Sequence, residues 1–97
     1  MNCIYGVTVI RKARVDLNQR AIVKQLRAIG CSVLHLHAVG DGCPDICVGY
    51  RGRNYLLEIK NGAGKLTDKQ VEFFKEWRGA AYIVRTFEQA QEVIIDN

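Results

Sequence analysis

The 97-residue sequence has few features that would divide it, export it or place it in a membrane. It contains one proline, no internal repeat and no segment rich in proline, glycine or serine, so we expect a single domain over residues 1–97. Its apolar runs are only a few residues long, against the roughly 20 that cross a bilayer. The N-terminus also lacks the pattern of a secretory signal. We therefore expect a cytoplasmic protein with no membrane segment.

The composition is that of an ordinary globular chain, with 48% hydrophobic and 25% charged residues, which excludes a disordered tail or a fibre. The four cysteines of a chain that is not exported are expected to be free thiols. The net charge of +4 is uneven, because residues 1–60 contain nine Lys and Arg against four Asp and Glu. Such a basic excess is typical of nucleic-acid binding, but a solubilising surface explains it about equally well.

Hydrophobic periodicity and helix-breaking residues predict the element order α-β-β-β-α-β-α. We expect Asp16 or Asn18 to cap the first helix and Gly30 to follow its end at about Ile29. Thr67 caps the second helix. The predicted strands span residues 31–38, 45–50, 53–60 and 81–85. The second helix is predicted to reach Trp77, and the third to span residues 87–95. Residues 2–10 are compatible with a short strand or a frayed arm. The order predicts an α/β protein with a small mixed sheet.

Two acidic residues and a lysine are predicted to converge. Pro44 cannot donate a backbone hydrogen bond and belongs at a strand entrance, which places Asp45 at the start of the second strand. Glu58 and Lys60 are two residues apart on the third strand and therefore share a face. A tight hairpin turn at residues 51–52 then brings Asp45 towards Glu58.

This combination has the chemistry of phosphodiester hydrolysis. Carboxylates held together repel each other when ionised, and a divalent cation relieves the repulsion. Oxygen ligands suit Mg²⁺ or Mn²⁺, and a lysine beside the metal can orient a water and stabilise charge on a phosphate. A surface Glu–Lys pair beside an unrelated turn aspartate accounts for the same residue types about equally well.

Longer segments around these residues resemble a known family. Gly42-Cys43-Pro44-Asp45-Ile46, followed by Glu58-Ile59-Lys60, resembles the PD-(D/E)XK nuclease signature. The continuation Leu66-Thr67-Asp68-Lys69-Gln70 is similar to the VRR-NUC branch of that superfamily, in particular to its stand-alone phage and prophage members. The likeness spans residues 11–95. It implies a restriction-endonuclease-like α-β-β-β-α-β core, here with a C-terminal helix, encoded by a phage, a prophage or a bacterial host.

The resemblance also implies roles for individual residues. Asp45, Glu58 and the carbonyl of Ile59 would bind Mg²⁺ or Mn²⁺, and Lys60 would position or activate the attacking water. Gln70 matches a glutamine that borders the active site in the family.

Gln19 is the position where the expected pattern is broken. Related junction resolvases carry a glutamate eleven residues before the glycine that ends the first helix, and counting back from Gly30 gives Gln19. An amide cannot supply a ligand's negative charge, so we expect Gln19 to contact the site directly or through water. Asp16, one turn earlier, is either a replacement ligand or a helix cap.

The resemblance predicts a metal-dependent endonuclease that hydrolyses DNA, selects four-way junctions or other branched structures and needs no small-molecule cofactor. The alternatives are a catalytically decayed DNA-binding or scaffold module, suggested by Gln19, and a nuclease that acts on RNA. We expect a homodimer, because two strand cuts need two sites and so short a chain has a thin core. The candidate interface is the apolar stretch around Ile4, Tyr5, Val7 and Val9.

Other residues have weaker assignments. A zinc site is suggested by His35, His37, Cys43 and Cys47, but their spacing fits no common zinc module. Phe74 and Trp77 are expected in the core, whereas Phe73 remains open between the core and base stacking. Four basic residues are assigned to phosphate contacts: Arg51, Arg53, Lys65 and Lys69. A solubilising turn accounts for the two arginines about equally well.

Overall fold

The computed structural model describes the backbone of residues 6–95 and the side chains of residues 17–95. The element order is the one predicted. The elements are α1 (Gly6–Ala28), β1 (Ser32–His35), β2 (Ile46–Tyr50), β3 (Arg53–Ile59), α2 (Asp68–Glu76), β4 (Ala81–Val84) and α3 (Phe87–Ile95). None of the helices in this described part is both long and apolar enough to span a membrane.

The strands form a four-stranded mixed sheet in the order β1-β2-β3-β4. The first three strands are antiparallel neighbours, and β4 lies parallel to β3. A parallel pair needs a long crossover connection, and α2 lies within it. The β2–β3 hairpin turns at Arg51 and Gly52, whose φ angles of 51° and 80° are those that a type I′ turn requires.

One face of the sheet is covered by α1 and α3. Alternate residues of β2 and β3, among them Ile46 and Leu57, join side chains of the two helices in one buried cluster. Leu26 of α1 and Ala90 of α3 are fully buried there. This two-layer packing is the main hydrophobic core of the described residues.

The other face of the sheet is thinly covered, because α2 makes only sparse contact with the strands and buries none of its residues. The expectation that Phe74 and Trp77 are core residues is therefore wrong. Trp77 is 46% exposed and Phe74 only half-buried. Trp77 stacks instead on Phe73, with ring centroids 5.2 Å apart. The apolar stripe of α2 thus packs partly against itself.

The N-terminal part differs from the prediction. Residues 6–10 belong to α1 and do not form a strand, and Asp16 and Asn18 lie inside this helix and not at its cap. The helix starts earlier because no proline or glycine interrupts residues 7–15. The side chain of Asp16, and therefore its role as a ligand, lies outside the described residues. The side chains of the proposed interface at Ile4, Tyr5, Val7 and Val9 also lie outside the described part.

Candidate active site

The strand ends bring the two predicted acidic residues together. Asp45 directly precedes β2, and its Oδ2 accepts a hydrogen bond of 2.7 Å from the backbone N–H of Ile59. Ile59 lies between Glu58 and Lys60 at the end of β3. The hydrogen bond to Ile59 therefore holds the Asp45 carboxylate close to both of these residues. The N–H of Lys60 donates to the carbonyl of Val84, which continues the pairing with β4. The hairpin thus provides the convergence that the sequence predicts.

Gln70, on the first turn of α2, bridges the lysine and the glutamate. Its Oε1 accepts from Lys60 Nζ at 2.9 Å, and its Nε2 donates to Glu58 Oε2 at the same distance. Lys60 Nζ also lies 3.4 Å from Glu58 Oε2, and the lysine side chain is 16% exposed. Gln70, Lys60 and Glu58 therefore form a closed triangle of polar contacts.

The cap of α2 determines which way the Gln70 amide points. Thr67 and Gln70 form a capping box, in which Gln70 N donates to Thr67 Oγ1 and Thr67 N donates to Gln70 Oε1. Because Oε1 accepts from both Thr67 and Lys60, the donor Nε2 must face Glu58. A local helix-capping motif thus orients a side chain of the candidate site. The sequence predicted the cap but not this consequence.

Burial makes both carboxylates hard to ionise together. Glu58 is only 3% exposed, and burial, reinforced by the charge of Asp45, raises its pKa to about 7 against the opposing effect of Lys60. Burial also raises the pKa of Asp45, and the hydrogen bond from Ile59 opposes that shift. The pair is a candidate functional site because such perturbation is common in active sites.

The donor set fits a hard divalent cation. Glu58 Oε2 is occupied by Gln70 and Lys60, whereas Oε1 is buried and has no hydrogen-bond partner among the described residues. A buried carboxylate oxygen without a donor is costly, and a cation beside it removes that cost. The described part of the chain contains no group of three acidic, histidine or cysteine ligands. A backbone carbonyl and water would have to complete the shell, as Mg²⁺ accepts.

Gln19 lies beside His35 and makes no hydrogen bond to either carboxylate in the described residues. Its Nε2 is 3.2 Å from His35 Nδ1. His35 is followed by Leu36, whose N–H donates to the carbonyl of Asp45, so Gln19 lies near the turn that carries Asp45. Gln19 is therefore connected to the candidate site indirectly, through His35 of β1. Counting residues back from Gly30 does not reveal this connection.

The residues suggested for zinc do not form a metal-binding group within the described chain. His35 and His37 make an edge contact with ring centroids 6.3 Å apart. Burial, together with the charges of Glu58 and Asp45, raises the pKa of the Cys43 thiol, which disfavours the thiolate that zinc needs. Cys31, Cys43 and Cys47 are free thiols.

The four predicted phosphate-binding residues separate into two groups. Lys65 precedes α2 and Lys69 lies on its first turn; both are exposed, and Lys69 Nζ lies 3.8 Å from Asp41. Arg51 and Arg53 lie at the tip of the β2–β3 hairpin, where the guanidinium of Arg51 is 5.1 Å from the centre of the Tyr50 ring. Five residue steps along β3 separate Arg53 from Glu58, which corresponds to about 17 Å. The structure therefore does not bring the two arginines to the carboxylates.

Arg85 is a structural contributor that sequence reasoning missed. Its Nη1 donates to the carbonyls of Gly62 and Gly64 at 2.8 and 3.0 Å, which fastens the loop between Lys60 and Thr67. No sequence signal identifies this contact, because 21 or more residues separate the partners.

Comparison with known proteins supports the fold. The sequence matches no protein-family model and no curated protein. Its structure is similar to a solved VRR_NUC domain, with a TM-score of 0.67 and 23% sequence identity. The similarity covers 82% of this chain and 92% of that one. The chain therefore has the fold of a VRR_NUC domain, as the resemblance of its motifs implied.

Proposed function

We propose that this protein is a metal-dependent nuclease that hydrolyses DNA phosphodiester bonds. The observation that carries the proposal is the arrangement of Glu58, which is buried beside Asp45, held on one oxygen by Gln70 and Lys60, and left with Oε1 unpartnered among the described residues. Buried side-chain oxygens in proteins nearly always have a hydrogen-bond partner. An oxygen left over beside a second carboxylate is suited to a metal ion.

In this proposal Asp45, Glu58 and the carbonyl of Ile59 bind Mg²⁺ or Mn²⁺. The ion, when bound, would polarise the scissile phosphate and lower the pKa of a coordinated water. The contact of Asp45 with the backbone of Ile59 keeps the first carboxylate at the end of β3. The contacts of Gln70 keep the second one from turning away.

Lys60 acts in the proposal as a positioned donor. An ammonium has three N–H groups, and the contacts to Gln70 and Glu58 use two of them. The third N–H remains for the attacking water or a phosphate oxygen, where it would stabilise the charge that develops in the transition state. Gln70 completes the site by holding the lysine and the glutamate in one geometry.

DNA is the proposed substrate, and branched DNA such as a four-way junction its preferred form. The basic excess of residues 1–60 supplies a sequence-independent attraction to phosphates. Lys65 and Lys69 are exposed on the loop before α2 and on its first turn, and in this proposal they contact the strand that is cut. A homodimer would present two equivalent sites to two backbones.

A cleavage assay tests the proposal. Wild-type protein is incubated with single-stranded, duplex, flapped and four-way DNA, and with matched RNA, in Mg²⁺, Mn²⁺ or EDTA. We expect metal-dependent cleavage of DNA that is lost in Asp45→Asn and Glu58→Gln, while DNA binding measured by anisotropy persists because phosphate contacts carry it. Glu72→Gln, which neutralises an exposed glutamate of α2, is the matched control and should cut normally.

The same assay separates the alternatives. Full Mg²⁺-dependent activity in both neutral variants would refute the metal site. Tight DNA binding without cleavage in any metal would favour the decayed scaffold module that Gln19 suggests, and preferential cutting of RNA would reassign the substrate.

A further inference from the structure

The turn before Asp45 is in direct contact with the first turn of α2. Gly42 has a φ of +79°, and a Cβ atom built there would lie 2.2 Å from the carbonyl oxygen of Lys69 and 2.9 Å from the backbone nitrogen of Gln70. Both neighbours are backbone atoms of a helix, which cannot move aside as a flexible side chain does. Only glycine therefore allows this close approach.

The contact joins the two segments that build the candidate site. Gly42 is three residues before Asp45, and the atoms it meets belong to Gln70 and the residue before it. Gln70 in turn contacts Lys60 and Glu58. A displacement of the first turn of α2 away from Gly42 would therefore move the amide that holds both side chains.

Core packing does not determine the position of this turn. None of the nine residues of α2 is buried, and the helix makes only sparse contact with the strands. The position of Gln70 thus depends on local contacts, chiefly the Gly42 backbone and the Thr67 cap.

We propose that Gly42 is a positioning residue, whose lack of a side chain lets the first turn of α2 sit against the turn before Asp45 and so places Gln70 between Lys60 and Glu58. The inference rests on the proposed nuclease function for its catalytic readout, but the placement of Gln70 is measurable without activity.

Gly40 offers a matched control. It has the same φ of +79°, but a Cβ atom there would meet nothing within 4 Å. Gly40→Ala and Gly42→Ala therefore share the backbone strain of an alanine at positive φ, and only the second adds the clash with α2.

The test compares the two variants in cleavage of a four-way DNA junction with Mg²⁺. For Gly42→Ala we expect kcat to fall about 100-fold, as small misplacements of catalytic groups do, with little change in KM. Gly40→Ala should retain wild-type kcat. Equal kcat in the two variants would overturn the inference.

A second readout uses the metal-free protein in EDTA. The side-chain amide of Gln70, assigned in a ¹H–¹⁵N spectrum by its loss in Gln70→Leu, should exchange slowly and resonate away from free glutamine amides in the wild type and in Gly40→Ala. In Gly42→Ala we expect it to return to the free-amide position. An unmoved, protected amide in Gly42→Ala would also overturn the inference, whereas a wild type that cuts no substrate would refute the proposed function alone.

If Gly42→Ala does not fold, Thr67→Ala provides a second test. It loosens the first turn of α2 by removing the acceptor for Gln70 N. A lower kcat and a free Gln70 amide, both restored by Thr67→Ser, would support the positioning role. An unchanged kcat and amide would count against it.

Discussion

Among single residues, Glu58 combines burial, charge and an unpartnered oxygen in one side chain. Its pKa is raised from the usual 4.5 to about 7, chiefly by burial. Between these two values the folded protein holds a proton that the unfolded chain has lost. This carboxyl therefore contributes stability at low pH that is lost as pH rises towards 7. Asp45 adds an effect of the same sign, because its pKa is raised as well.

We expect Glu58→Gln to be more stable than the wild type in EDTA at pH 8, and this advantage to shrink towards pH 5. The reason is that the neutral amide never has to ionise in the buried site. Thermal denaturation of both proteins across this pH range measures the difference. Glu72→Gln, which changes an exposed carboxylate of α2 outside its first turn, is the control. An advantage of Glu58→Gln that does not vary with pH would contradict the cause given.

Lys60 and Lys69 lie close to the same turn but are expected to affect different kinetic constants. Lys60→Ala should lower kcat by about 100- to 1,000-fold with little change in metal affinity, because the lysine stabilises charge in the transition state. Lys60→Arg should restore little, since a planar guanidinium does not replace a compact ammonium between two fixed acceptors.

Lys69→Ala should instead raise KM, because Lys69 Nζ is exposed and contacts only Asp41 among the described carboxylates. Steady-state kinetics on one DNA substrate separate the two effects. A Lys60→Ala variant with wild-type kcat would show that the lysine is an ordinary surface charge.

At the scale of secondary structure, α2 is held at its first turn and is otherwise largely exposed. Its apolar residues repeat with helical spacing, which predicts burial, but a helix buries its stripe only where another element covers it. In this structure α2 makes only sparse contact with the sheet, so no strand covers most of its apolar residues. The Phe73–Trp77 stack compensates in part by covering aromatic surface locally.

This exposure predicts that Trp77 contributes little to the stability of the single chain. Leu26, which is fully buried, should cost about 2–5 kcal/mol when changed to alanine. We expect Trp77→Ala to cost clearly less, because nearly half of the indole is already in water. Urea denaturation of both variants at a concentration where the chain is monomeric gives the comparison. A larger loss for Trp77→Ala would mean that α2 packs on the sheet in solution.

At the scale of the whole molecule, the sheet presents an apolar row on the face that α1 and α3 leave open. The register aligns one residue from each strand across it: Leu34, Cys47, Leu56 and Ala81. Leu34, on the edge strand β1 and two strands away from Glu58, is 62% exposed. Exposed apolar surface of this kind favours association, and a second copy is the partner that the proposed double-strand cut requires.

We therefore expect light scattering to report twice the 10.9 kDa chain mass at micromolar concentration. Leu34→Lys should give a monomer, since a charge at this edge of the sheet face opposes its burial. Val39→Lys, which changes an equally exposed apolar residue in the turn after β1, should remain dimeric. A monomeric wild type, or a dimeric Leu34→Lys variant, would exclude this edge of the face as the interface.

Much of the architecture follows from local sequence signals. The seven elements follow from periodicity, glycines and the Thr67 cap, because these act over a few residues. The approach of Asp45 to Glu58 follows from one tight turn and strand alternation. The start of α1 does not follow from these signals, since polar residues such as Asp16 cap helices in some contexts and lie inside them in others.

Tertiary packing decided the remaining features, because they depend on distances between segments far apart in the chain. Whether α2 lies on the sheet, whether Gln19 reaches a carboxylate or His35, and whether Arg51 lies near the site are set by how the layers pack. The same holds for the Gln70 amide, which the Gly42 backbone and the Thr67 cap place between Lys60 and Glu58. Sequence by itself determined which chemical groups are present and on which strand face they lie. Only the folded structure determined which of them touch, because contact requires atomic positions that no local pattern specifies.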